Sequence, residues 1–243
     1  MSGTPRLRDH LTDPSGGLAY HWLAWRRRAA WQPFHGWIRA RLDAWRPDSE
    51  TLVLVGPSGG YALDHSFLSR WRSITVLEPD PFARGLLRRR FPQLPIRFLS
   101  LDALALPDGP AALAAQFPDA ALLFCNVLGQ IGDADEVARR GAVLRHVLAA
   151  HAWASWHDVL SSRLPPSGAL PPTADSVDAL ARSLWRGQAV EVVDHGAFGL
   201  VGAQGAFATW ALARDAWQVV EWAAHVPAAE RAEDTGRDAQ GSR

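Results

Sequence analysis

Residues 52–61 read LVLVGPSGGY, an apolar run that breaks into a glycine-rich loop. Within it, Gly56-Pro57-Ser58-Gly59-Gly60 matches Gly-x-Ser-x-Gly, the turn that presents the nucleophile of serine hydrolases. The same stretch also has the form of a buried strand ending in a loop that a nucleotide cofactor approaches closely. The two readings make different demands on the rest of the chain.

Outward from this loop the pattern alternates strand and helix. TLVLV (51–55), SITVLEP (73–79), PIRFLSL (95–101), ALLFCNV (121–127) and WASWHDVLS (153–161) read as buried strands. Helical patterns stand between them: one from the loop to about Trp71, one over 81–91, one over 110–117 and one over 134–151. Such alternation implies a parallel sheet covered on both faces, with its ligand site beyond the carboxyl ends of the strands. A proline-rich stretch (162–173), a helix (174–187) and a strand (189–195) follow. Strands over 206–213 and 217–225 are joined by too few residues for a crossover, so they form an antiparallel hairpin. Before the sheet, 17–45 is helical, with Leu18, Trp22 and Trp25 at i, i+4 and i+7, and Pro33 divides it in two. Its aromatic residues suit a layer packed on the core or a lid over the site. The expected organisation is a flexible lead-in (1–16), a helical layer (17–48), a cofactor-binding domain (49–225) and a disordered polar tail (226–243).

Composition bounds the chemistry. The 243 residues are 48% apolar, with 25 basic and 25 acidic side chains. This neutrality argues against a general nucleic-acid binder, although a local basic patch stays open; the triplets Arg26–Arg28 and Arg88–Arg90 read as solvated helix faces. There is no lysine, which removes Schiff-base and P-loop chemistry. The alanine- and arginine-rich usage suits a GC-rich bacterial genome. The lone Cys125 cannot form an internal disulfide, and no cluster of residues has metal-ligand spacing. No signal-like or membrane-spanning run is visible, so a soluble cytoplasmic protein is expected, with no membrane and no nucleic-acid partner.

A nucleophile elbow normally comes late in its sheet, after a loop that supplies an oxyanion donor. Here the loop follows the first strand with only helices before it. A trio of Ser58, Asp158 and His195 has the hydrolase order, and it stands as the alternative reading. The cofactor reading asks for an acid at the end of the second strand to accept from ribose hydroxyls, about 20 residues on. Glu78 meets that demand, 22 residues after Gly56. The dinucleotide fingerprint Gly-x-Gly-x-x-Gly is not met, which points away from a pyrophosphate and towards a cofactor without phosphates.

The run VLVGPSGGY, ITVLEPDP, FLSLDALALP and LLFCNVLGQIGD resembles the class I S-adenosylmethionine-dependent methyltransferases over residues 51–160. That resemblance implies a Rossmann-like doubly wound α/β fold, with a mostly parallel seven-stranded sheet, a C-terminal antiparallel hairpin and an N-terminal helical layer. It places Gly56, Ser58 and Gly60 at the family's three glycine positions, and Leu54 where its first acid stands, with Asp64 as a possible substitute. Glu78 takes the ribose acid's place, Asp102 with Ala103 the adenine motif, and Asn126 the fourth motif, in which Gln130 replaces a common histidine. The implied cofactor is S-adenosylmethionine and the implied partner a small-molecule acceptor, methylated on oxygen or nitrogen. Methyl transfer needs alignment and, for a protonated acceptor, a base. His157 and Asp158, expected to face the same crevice as Asn126, are the candidates; Asp194 and His195 are weaker ones. A second class is a non-catalytic S-adenosylmethionine-binding protein, favoured by Leu54 and Gln130. A nicotinamide-dependent oxidoreductase is a third, lesser one.

Overall fold

The computed structural model describes residues 17–99, 109–130, 141, 143–146, 148–200 and 205–227. The expected lead-in (1–16), the expected cofactor residues Asp102 and Ala103, half of the 134–151 stretch and all but the start of the expected tail lie outside these residues.

The chain opens with helix α1 (Gly17–Ala44). Strands β1 (Thr51–Val55), β2 (Ser73–Leu77), β3 (Ile96–Leu99), β4 (Ala121–Cys125) and β5 (Trp153–Ser162) follow. They are separated by α2 (His65–Leu68), α3 (Pro81–Arg90), α4 (Gly109–Gln116) and a helical stretch that includes 143–146. Helix α5 (Val177–Leu184), β6 (Val192–Asp194), β7 (Ala206–Ala213) and β8 (Ala216–His225) complete it. Seven strands run in the order β3-β2-β1-β4-β5-β8-β7, and β6 pairs with the far end of β5. The first five are mutually parallel, while β8 is antiparallel to both β5 and β7. This is the mostly parallel sheet with a C-terminal hairpin expected from the sequence. The order reverses at β1, where Val55 lies level with Leu77 of β2 on one side and Phe124 of β4 on the other. The crevice of such a sheet opens at that reversal.

The central strands β1 and β4 are apolar from Leu52 to Val55 and from Ala121 to Cys125 because both faces are covered. One face carries Leu52, Leu54, Ile74, Val76, Leu123 and Trp156 under α1, α2 and α3; the other carries Val53, Val55, Leu122, Phe124 and Val159 under α4 and α5. Helix α1 reaches across to β7, where Phe34 stacks on Trp210 with centroids 4.7 Å apart and Trp31 Nε1 donates to Leu212 O at 3.1 Å. Truncating either buried aromatic to alanine costs about 3–5 kcal/mol.

Three expectations fail here. Pro33 does not divide the N-terminal helix: Pro33 and Ala29, whose carbonyl would have received the missing N–H, both lie on the exposed side, so the carbonyl left without that bond faces solvent. The Leu18, Trp22, Trp25 stripe points to solvent, and the buried face is built from His21, Ala24, Trp31, Phe34, His35, Ile38 and Leu42. The helix expected from the glycine loop to Trp71 shrinks to the single turn α2, which begins only where Asp64 accepts from Phe67 N at 2.9 Å. No helix among the described residues is long and apolar enough to cross a membrane.

Candidate functional site

The loop after β1 alternates its backbone. Gly56, Ser58 and Gly60 have φ of 63°, 52° and 67°, so every second residue is left-handed. Glycine enters that region without penalty, whereas Ser58 does so at a cost of about 1–2 kcal/mol. Gly56 has a second constraint: a β-carbon there would run into the side chain of Val127, which packs over it from the end of β4. At Gly60 a β-carbon would lie 2.8 Å from Leu87 Cδ1 and 3.1 Å from Phe91. Chain packing therefore accounts for both glycines.

Glu78 is buried just past the end of β2 and holds the loop in place. Its Oε2 accepts from Ser58 N at 2.9 Å and its Oε1 from Asp80 N at 3.1 Å. Burial raises its pKa to about 7, against the lowering effect of those two N–H groups. Each carboxylate oxygen keeps a further lone pair. The geometry also separates Ser58 from a hydrolase nucleophile. Helix α2 starts seven residues after Ser58 rather than at once, and among the described residues no imidazole is hydrogen-bonded to its hydroxyl.

Helix α1 brings a polar pair to this end. His21 Nδ1 lies 2.7 Å from Tyr61 Oη, and its buried Nε2, with no hydrogen bond, lies 3.7 Å from Asp80 Oδ2. Tyr20 packs against Tyr61, centroids 6.1 Å apart, and its phenol is pushed up by burial, then by Tyr61 and Glu78. The sequence marked this segment only as aromatic. The signal for these two was a polar Tyr-His pair between the apolar positions of a helix.

Leu54, at the place of the family's first acid, lies fully in the core, and Asp64 is engaged in capping α2. At the end of β4, Asn126 takes a left-handed φ of 57°, which asparagine tolerates, and donates its N–H to Trp156 O at 2.8 Å. Its Oδ1 is buried with no hydrogen-bond partner among the described residues. Gln130 ends the short 3₁₀ turn Leu128–Gln130 that follows.

His157 and Asp158 do not share a crevice, because consecutive strand residues face opposite sides. His157 is fully buried beneath the second face: Nδ1 is 3.0 Å from Ser155 Oγ, and Nε2 is 3.2 Å from Ala197 O and 3.6 Å from Glu221 Oε2. Neither nitrogen is open to an acceptor, so the expected base is a structural histidine. Asp158 lies against Gly129, where a β-carbon would meet its carboxylate. Its Oδ2 accepts from Gln218 Nε2 at 3.1 Å and stands 3.8 Å from His195 Nε2, while Oδ1 has no partner among the described residues. Burial raises the Asp158 pKa and His195 opposes the rise. His195, partly exposed, is also 3.0 Å from Ser161 Oγ; Asp194 caps Gly196 N at 2.8 Å at the surface. The structure thus gathers Gly56, Ser58, Gly60, Glu78 and Asn126 at the reversal of the sheet, with Asp158 and His195 at its β5 side. His157, Asp194, Asp64 and Leu54 are occupied elsewhere. Among the described residues, no group of three His, Cys, Asp or Glu side chains could hold a metal ion.

No protein-family model matches the sequence, and no curated protein does. Solved structures do match. The structure resembles class I S-adenosylmethionine-dependent methyltransferases over most of its length. The N-methyltransferase NodS from Bradyrhizobium japonicum WM9, in complex with S-adenosyl-L-homocysteine, aligns with 89% of this chain and 95% of its own at 12% identity and a TM-score of 0.47. CalS10, an amino pentose methyltransferase from Micromonospora echinaspora with S-adenosylmethionine bound, aligns with 83% and 95% at 17% identity and a TM-score of 0.42. At these values the likeness concerns the course of the chain, and the reading of function rests on the residues of the site.

Proposed function

We propose that the protein is an S-adenosylmethionine-dependent methyltransferase acting on an oxygen or nitrogen of a small or medium-sized acceptor. The observation that carries this reading is the Glu78 carboxylate. It is buried just past the second strand, locked to the glycine loop by Ser58 N, and has lone pairs left for two ribose hydroxyls. The nucleoside end of the cofactor therefore fits the residues present. At the methionine end the usual acid is absent, and the unpartnered Asn126 Oδ1 is the acceptor available to an ammonium group.

S-adenosylmethionine, when bound, supplies an electrophilic methyl group on a sulfonium. The chain's own residues do the rest. Glu78 and the loop hold the nucleoside, Tyr20, His21 and Tyr61 on the α1 side restrict water, and the far side of the crevice orients the acceptor. Asp158 keeps its expected part there, but His195 replaces His157: it is the histidine of the pair that solvent reaches, and it faces the Asp158 carboxylate. A neutral imidazole so placed takes the acceptor's proton.

A second reading, cofactor binding without turnover, is favoured by Leu54 in the core and by Val127 packed over Gly56. Calorimetric titration with S-adenosylmethionine, S-adenosylhomocysteine and NADH tests the assignment. Micromolar binding of the first two, lost in Glu78→Ala, is the expected result. Failure of the wild type to bind either one overturns the cofactor, and loss of an esterase activity in Ser58→Ala would revive the hydrolase.

A further inference from the structure

The zero net charge hides a segregation. Residues 17–42 contain five arginines and no acidic residue, and residues 81–97 contain five more and none. The helices in these two stretches are neighbours: His21 packs on Phe82 with ring centroids 5.1 Å apart, and His35 feels the charges of both Arg39 and Arg90. One flank of the molecule is thus basic, balanced by acids elsewhere in the chain.

On the same flank the outer face of α1 is apolar where a helix surface is normally polar. Leu18, Trp22 and Trp25 are 46%, 56% and 64% exposed, and Phe82 beside them is 42% exposed. These positions lie at i, i+4 and i+7, so they form one stripe along the helix. Arg26 and Arg28 are exposed on either side of it, and the Arg26 guanidinium lies 4.6 Å from the centre of a Trp22 ring. Among the described residues none covers this stripe, and the core contacts of α1 come from its other face.

We propose that this face docks the protein peripherally on an anionic phospholipid surface. The charge selects the partner: a flank rich in arginine, whose carboxylates Asp64 and Asp80 stand against Arg39 and His21, is attracted to a layer of phosphate headgroups. The side chains between the arginines select lipid rather than nucleic acid. Tryptophan, leucine and phenylalanine on a convex helix face bury into the headgroup–acyl boundary. Leucine offers a base nothing to stack on, and the stripe carries no polar group to read one. Docking would bring the α1 side of the crevice, where His21 and Tyr61 meet, close to the bilayer. The proposal does not depend on the cofactor assignment.

Co-sedimentation of the full chain with vesicles decides it, using phosphatidylcholine alone and phosphatidylcholine with phosphatidylglycerol, at low and high salt. The expected result is binding to the anionic vesicles only, weakened by salt and reduced roughly tenfold both in Trp22→Ser/Trp25→Ser and in Arg26→Glu/Arg28→Glu. All four side chains are exposed, so both variants keep the wild-type melting temperature. Absence of binding to anionic vesicles overturns the proposal, as does binding that both variants retain. Two other results also overturn it: oligonucleotide binding without vesicle binding, and a concentration-dependent dimer, lost in the tryptophan variant, without vesicle binding.

Discussion

The two ends of the crevice are built on opposite terms. At the β1–β2 end, both oxygens of the buried Glu78 carboxylate are met by backbone N–H groups. At the β4–β5 end, the Asn126 and Asp158 Oδ1 atoms are buried with no partner among the described residues. A carboxylate met by donors from its own loop is rigid before any ligand arrives. A buried oxygen without a donor costs about 1–3 kcal/mol, which an incoming N–H or O–H group recovers. On the proposed function, the first end is a preformed seat for the cofactor, and the second holds buried acceptors that a hydrogen-bond-donating ligand would complete.

The largest effect that sharpens this contrast is expected at the seat. Gly56→Ala combines a left-handed backbone with the Val127 contact, and urea unfolding should show a loss of about 2–4 kcal/mol. Adding Val127→Ala removes the contact and should return part of that loss; no return would mean that φ alone sets the cost. Next comes pH. Glu78 is raised to about 7, so below that the folded protein holds it protonated, and hydroxyl groups prefer the ionised form. Affinity for S-adenosylhomocysteine should fall by about tenfold from pH 8 to pH 6 and be flat in Glu78→Gln. The same shift favours the folded state below about pH 4.5, and that contribution is lost as pH rises through about 7.

Ser58→Gly relieves the one strained non-glycine residue of the loop. It should leave affinity within about twofold and raise stability by up to about 1 kcal/mol in thermal melts. Asp158→Asn should have the smallest effect on the cofactor, because β5 lies two strand spacings, about 10 Å, from β1. A change in S-adenosylhomocysteine affinity beyond about twofold would break the division of the crevice into two independent ends.

How much was legible followed the same division. The Gly56 loop and Glu78 are close in the chain, and a strand-loop-helix-strand unit has one way to fold, so spacing alone singled them out as neighbours, which the Ser58–Glu78 hydrogen bond makes them. Asp158, His195 and Gln218 come from three separate strands or their ends, and no spacing links them. His157 was misread because a residue's place at a strand end says nothing about which face it takes; the pairing of β5 with β8 puts it beside Glu221. Asp102 and Ala103 have no structural counterpart among the described residues.

By itself the sequence determined the strands, their parallel pairing, the terminal hairpin and the acid that follows the second strand. All of these depend on local periodicity and turn length, which are properties of short segments. Only the tertiary structure decided that α1 runs unbroken through Pro33, that its Leu18–Trp25 stripe faces solvent, and that Ser58 is held by Glu78 rather than activated by a histidine. Periodicity marks an apolar face without saying what covers it. A residue's partners across the sheet are set by the packing of segments far apart in the chain.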